Sequence, residues 1–287
     1  MEKFGRRRIL AAGGIAAAGL AAPGLTGSAV IGSAWAADDV LAKAKAAGEL
    51  KIGTETEFAP FDFIKDGRAV GFNYDLLAEV SKELGLKFTF VALPWESVIP
   101  GLDAGKFDMV SGPATITKAR MARYAFTLPV GDATCALLKK AGDKTITKPA
   151  DIAGKAVGSG KATSQLEQLK KYSAKLPKAV SVREYPDFSG AYADLAAGRI
   201  AAVANSMTNI AVVAGERADT FELVKPSFGD KSYFGFFVRK EAGSESLIKA
   251  LNAAILKVKK DGRMAKIQQK WFKTAMDLPD AVPEPTV

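Results

Sequence analysis

Thr117, Lys118 and Arg120 stand within one helical turn of one another, and Thr117 can cap a helix that starts at Lys118. Arg120 then falls in the first turn, where backbone N–H groups have no intrahelical partner. A planar guanidinium beside such donors suits a carboxylate, which it can grip through two parallel hydrogen bonds. A second arrangement of this kind is Gly160-Lys161-Ala162-Thr163-Ser164, a loop entering a helix, whose backbone donors would meet an anion. It is not a nucleotide loop, because Gly158-Ser159-Gly160 lacks both the lysine-serine ending of a P-loop and the dinucleotide glycine spacing. The chain has no histidine, which removes Ser-His-Asp and Cys-His catalysis and histidine metal sites. Its one cysteine, Cys135, excludes an internal disulfide and a thiolate zinc cluster. No metal and no cofactor is expected.

These groups need elements to hold them, and the hydrophobic pattern supplies an alternation of strands and helices. Leu50 to Gly53 reads as a strand, and Tyr74, Leu77, Ser81 and Leu84 recur at helical spacing with Gly85 as the stop. Further strands are read at 88–92 and 107–111, with a short helix at 97–104 between them. After Pro129 the pattern restarts with strands at 134–138, 155–158, near Val180 and at 200–204, and helices at 164–172 and 190–197. Two sets of βα units imply an α/β fold with mostly parallel sheets in two lobes. Two apolar helices close the chain, around Leu251, Ile255 and Val258 and around Met264, Ile267 and Trp271. The proline-rich stretch 279–287 is read as disordered.

Of 287 residues 48% are hydrophobic and 25% charged, enough to bury a core. The net charge of +9 is inflated by the first 36 residues, in which Lys3, Arg6, Arg7 and Arg8 face one acid, Glu2. From Ile9 to Ala37 no residue is charged, and Ala34-Trp35-Ala36 offers a small-x-small cleavage site, so 1–36 reads as an export signal. Six glycines and Pro23 argue against a spanning helix. Arg6-Arg7-Arg8-Ile9-Leu10 resembles a twin-arginine export signal. The remaining 251 residues carry 36 basic against 30 acidic side chains, with lysines scattered over periodic segments, which reads as solvated helix faces and not a nucleic-acid groove.

Across about Leu50 to Phe272 the chain resembles the bacterial extracytoplasmic solute-binding proteins that feed polar amino acids to ABC importers. The resemblance rests on the order and spacing of Gly53-Thr54-Glu55-Thr56-Glu57-Phe58-Ala59-Pro60-Phe61, Gly71-Phe72-Asn73-Tyr74-Asp75-Leu76, Ile99-Pro100-Gly101-Leu102 and Gly105-Lys106-Phe107-Asp108. It continues through Thr115-Ile116-Thr117-Lys118-Ala119-Arg120, Asp151-Ile152-Ala153-Gly154-Lys155-Ala156-Val157-Gly158, Ala197-Gly198-Arg199-Ile200 and Lys270-Trp271-Phe272. It implies a two-lobed periplasmic-binding-protein fold of type II, with two crossover strands and a ligand cleft between the lobes. The first lobe is expected over 37–132 with 230–287 and the second over 133–229, the crossings lying near Asp132-Ala133 and Phe228 to Lys231.

The resemblance also implies a binding site. Arg120 would hold the ligand's α-carboxylate with help from Thr115, beside Pro113 on the same strand. Phe58 and Trp95 would wall the ligand side chain, Phe61 and Phe63 packing beneath. Glu55 matches an acidic position that helps hold a cationic group, whereas Glu57 reads as solvated. In the second lobe Lys161 and Thr163 stand where relatives commonly carry Gly-Thr-Thr, and Lys161 either faces the cleft or points to solvent. Asn205 and Ser206 occupy the strand end where relatives usually place an aspartate for the ligand's α-amino group. A neutral Ser206, with Lys161 inward, would make the cleft more positive than in basic amino-acid receptors and disfavour arginine, lysine and histidine.

The expected protein is therefore a periplasmic, monomeric substrate-binding component of an importer, not an enzyme. Its partners would be a small carboxylate-bearing ligand and an inner-membrane ABC permease. The alternatives are a dehydratase-like enzyme on the same fold, for which only Glu55 or Lys161 could serve as acid or base, and a sensory ligand-binding component.

Overall fold

The computed structural model describes residues 39–287, so the export signal read over 1–36 lies outside the described residues. Asp39 caps helix α1 (Val40–Ala47), which leads into strand β1 (Glu49–Thr54). A three-stranded ribbon follows from β2 (Glu57–Phe58), β3 (Asp62–Lys65) and β4 (Arg68–Val70), then helix α2 (Phe72–Leu84). Gly85 stops α2 in the left-handed conformation at φ 59°, as its position in the pattern predicts. Gly71 enters the same helix at φ 141°, and a Cβ there would sit 2.0 Å from Phe61 O, so only glycine fits.

The chain continues through β5 (Lys87–Ala92), α3 (Trp95–Asp103), β6 (Met109–Thr115), α4 (Lys118–Arg123), β7 (Tyr124–Phe126) and β8 (Gly131–Asp132). It then leaves for a second sheet through β9 (Cys135–Lys140), β10 (Ala156–Gly160), α5 (Ser164–Ser173), β11 (Ser181–Tyr185) and α6 (Phe188–Ala196). That lobe is completed by β12 (Ala202–Ser206), α7 (Met207–Glu216) and β13 (Phe221–Val224). Strand β14 (Tyr233–Arg239) returns to the first sheet, followed by α8 (Glu245–Lys260) and α9 (Arg263–Phe272).

The first sheet runs β5-β1-β6-β14-β7, with β8 also paired to β14, and the second runs β11-β10-β12-β9-β13. Pairing is parallel around β1 and β10, and antiparallel where β14 and β9 join. The sheets are thus mixed, and not mostly parallel as the alternation alone suggested. The antiparallel strands are those that carry the chain between lobes. Where the two connections run side by side, Ala133 N donates to Ser232 O at 2.9 Å and Lys231 Nζ pairs with Asp132 at 2.6 Å.

In the first lobe the core holds four fully or nearly buried rings, Phe61, Phe72, Phe234 and Phe272, with centroid separations of 5.0 to 5.9 Å. Phe272 comes from α9, so the end of the chain completes the lobe begun by β1. Phe63 packs edge-on against Trp271 at 5.7 Å.

The stretch 279–287 is not disordered. Leu278 is buried, Lys259 pairs with Asp280 at 2.6 Å and Val282 packs on the cluster around Trp95. Thr286 Oγ1 donates to Lys231 O at 2.7 Å, and Lys118 N donates to Val287 O at 3.0 Å. Prolines forbid a helix here but leave an extended segment free to bond with the surface beneath it, which composition alone does not register.

Candidate ligand-binding site

Strand β6 ends at Thr115, and two residues later Thr117 caps α4: its Oγ1 accepts from Arg120 N at 3.2 Å. This fixes Arg120 in the first turn, where Nη1 donates to Thr115 O at 3.1 Å and the guanidinium lies 5.6 Å from the Trp95 ring centroid. The residue keeps some contact with solvent, yet its guanidinium is desolvated, which pulls its pKa down to about 10 and leaves it charged at neutral pH. Among the described residues no carboxylate pairs with it.

Trp95 opens α3 and is 9% exposed. Its Nε1 donates to Ala162 O at 3.2 Å, a bond from one lobe to the other. Ala162 is held at φ 59° in the turn before α5, which Thr163 caps by accepting from Leu166 N at 3.1 Å while donating to Gly160 O at 2.7 Å. The first turn of α5 thereby meets the end of β6: Ser164 Oγ donates to Thr115 Oγ1 at 2.6 Å, and Gln165 Nε2 approaches it at 3.4 Å.

Glu55 lies in the turn from β1 to β2 and is also 9% exposed. Desolvation raises its pKa well above the usual carboxylate range, and the nearby charges of Asp62 and Glu57 add to this. Behind it Asp62 is fully buried, and burial pushes its pKa up to about 8 against the bond it accepts from Asn73 Nδ2 at 2.6 Å. Phe58, two residues past the turn residue Thr56, stacks on Phe61 at 5.7 Å and meets Phe188 of the other lobe at 5.5 Å.

These groups surround one narrow cleft, lined by Glu55, Phe58, Trp95, Pro113, Thr115 and Arg120 from the first lobe and by Lys161 and Thr163 from the second. Lys161 lines it from the rim: 55% of its side chain is exposed, and Nζ pairs with Glu96 at 3.0 Å across the gap between lobes. The expected positive cleft therefore does not form. Lys161 is paired, while Glu55, Glu57 and Asp187 all line the cavity.

Asn205 and Ser206 lie outside the lining. Ser206 Oγ caps α7 by accepting from Asn209 N, and Asn205 Nδ2 donates to Tyr192 Oη at 2.9 Å and Asn209 Oδ1 at 2.7 Å. Asn209 Nδ2 in turn donates to Ala59 O in the first lobe. Sequence reasoning missed Gln165, Phe188, Asp187 and Asn209, and took Glu57 for a solvated group only. Glu57 is exposed, but it opens β2 directly after the turn that holds Glu55, and both line the cleft.

Residues 50–274 match the profile of bacterial extracellular solute-binding proteins, family 3. The chain belongs to this family. The L-cystine-binding protein TcyJ of Escherichia coli K12 is 32% identical over 241 residues, covering 83% of this chain and 88% of TcyJ. Among solved structures, an ancestral arginine-binding protein bound to arginine superposes with a TM-score of 0.71 at 32% identity, over 78% of this chain and 98% of that one. An ancestral amino acid-binding protein described as a precursor of cyclohexadienyl dehydratase, AncCDT-1, gives 0.74 at 29% identity, over 82% and 100%. The fold is thus that of the type II periplasmic binding proteins. As a family 3 member the chain is a solute-binding protein, and among its described residues no helix is long and apolar enough to cross a membrane.

Proposed function

We propose that the protein is the periplasmic substrate-binding component of an ABC importer, taking an amino acid or amino-acid derivative between two lobes that close on it. The observation that carries this reading is Arg120: a desolvated guanidinium, fixed by a capped helix and open to the cleft, with no carboxylate among the described residues to neutralise it. A buried charge of this kind costs free energy unless a partner arrives, and a ligand carboxylate is the partner its geometry suits. The permease is implied by family membership. Export of the chain through its first 36 residues, a monomeric state, and lobes of 37–132 with 230–287 and of 133–229 belong to the same proposal.

The test is thermal-shift screening of the purified chain against amino acids and their derivatives, followed by titration calorimetry on Arg120→Ala. A compound that stabilises the protein and loses its affinity in the variant supports the reading. Compounds binding equally well to both would overturn it.

Glu55 also favours a second reading. A carboxyl with a raised pKa in a cleft is the usual form of a general acid, and one structural neighbour is named a dehydratase precursor. Mass spectrometry after long incubation separates the two: a receptor returns the compound unchanged.

A further inference from the structure

The cleft presents a ligand with two unlike ends. At one end Arg120 has guanidinium hydrogens to spare beyond its bond to Thr115 O. The polar side chains around it are neutral and engaged, with Thr115 Oγ1 accepting from Ser164 and Gln165, and Thr163 bonded to its own loop and helix. Glu96, next to Trp95 in sequence, is outside the lining and held by Lys161. At the other end Glu55 is buried, and among the described residues its carboxyl has no hydrogen-bond or ion-pair partner. The remaining acids of the lining cluster on that side and are occupied: Glu57 accepts from Ser189 at 3.3 Å, and Asp187 caps α6 through Gly190 N at 2.9 Å. Glu57, two residues beyond Glu55, meets Ser189 at the start of α6, whereas Arg120 bonds to Thr115, whose side chain meets Ser164 at the start of α5, so the two lone groups face different helices of the second lobe.

An α-amino acid carries its ammonium on the carbon next to its carboxylate. Seated on Arg120, that ammonium would be desolvated beside a guanidinium of like charge, with no carboxylate to receive it. The strand end that could approach it is sealed, since Ser206 and Asn205 spend their side chains on α7 and Tyr192. We propose that the cleft selects an ω-amino or ω-guanidino acid, with its carboxylate on Arg120, its cation on Glu55, a short apolar chain between Phe58 and Trp95, and no α-amino group. This rests on the receptor reading above and names the ligand class of the same site.

Titration calorimetry with matched pairs tests it: lysine against 6-aminohexanoate, which lacks the α-amine, arginine against 5-guanidinopentanoate, and norleucine, which lacks the ε-amine. The expected result is that each deaminated compound binds more tightly than its parent, and that norleucine binds roughly 100-fold more weakly than lysine, the loss of one charged partner. Glu55→Gln should erase that preference, and its unchanged melting temperature would show that the variant folds. Deaminated compounds binding no more tightly than lysine and arginine would overturn the proposal and leave the receptor reading standing. So would Arg120-dependent binding confined to neutral amino acids such as glutamine or cystine. Absence of any Arg120-dependent binding would overturn both.

Discussion

Arg120 and Asp62 are both desolvated titratable groups, but they have different consequences. Truncating Arg120 removes its bond to Thr115 O but keeps the helix cap, since Thr117 Oγ1 accepts from its backbone N–H. Arg120→Ala should therefore cost about 2–5 kcal/mol of ligand affinity with little change in unfolding free energy, measured by calorimetry beside urea denaturation. Asp62 acts on stability. Burial pushes its folded pKa up to about 8, far above the ordinary 3.8 of an aspartate, so the neutral form stabilises the fold below about pH 4 and that contribution is lost as pH rises towards 8. Asp62→Asn keeps the shape without the charge. Between pH 5 and pH 8 the wild-type protein should lose stability relative to this variant, by about 1.4 kcal/mol for each unit of the window. Parallel pH dependences in urea denaturation would contradict this.

At the scale of elements, two contacts tie parts of the chain that the sequence places far apart. The Lys161–Glu96 pair joins the loop before α5 to the start of α3, but both side chains are about half exposed. Lys161→Ala should weaken ligand binding by no more than about fivefold, and the difference should fade in high salt, read by titration at two ionic strengths. The terminal segment joins α8, the crossover and α4 through Asp280, Thr286 and Val287. Removing residues 281–287 should lower the melting temperature by roughly 2–4 °C through the lost Val282 packing, and an unchanged transition would count against it.

What could be read in advance follows the same division. Helices α2 and α5 were legible because their signals are local: a cap or a glycine stop flanking an apolar period. Ribbon strands of two to four residues and the return strand β14 were not, because β14 pairs with strands more than a hundred residues earlier. In the site, Arg120 could be deduced from one turn of sequence. The partner of Lys161 and the sealing of Ser206 depend on how two lobes meet, which no local pattern encodes.

Taken whole, the molecule is described with its lobes in contact at Trp95, Thr115, Ala59 and Phe58. Two adjacent connections at Asp132 and Lys231 are the only covalent links between the sheets among the described residues, which suits a hinge. Small-angle scattering should show a smaller radius of gyration on saturation with a ligand found by screening, and an unchanged curve would argue against closure.

Cys135 has a practical consequence. It is fully buried where β9 enters the second sheet, and burial raises its thiol pKa, so it stays unreactive in the native protein. With no other cysteine in the sequence, a pair of engineered thiols on exposed positions of the two lobes would be the sole sites for maleimide dyes. The unaltered background is already suited to single-molecule fluorescence, in which opening and closing could be timed directly and the protein turned into an optical reporter of its own ligand.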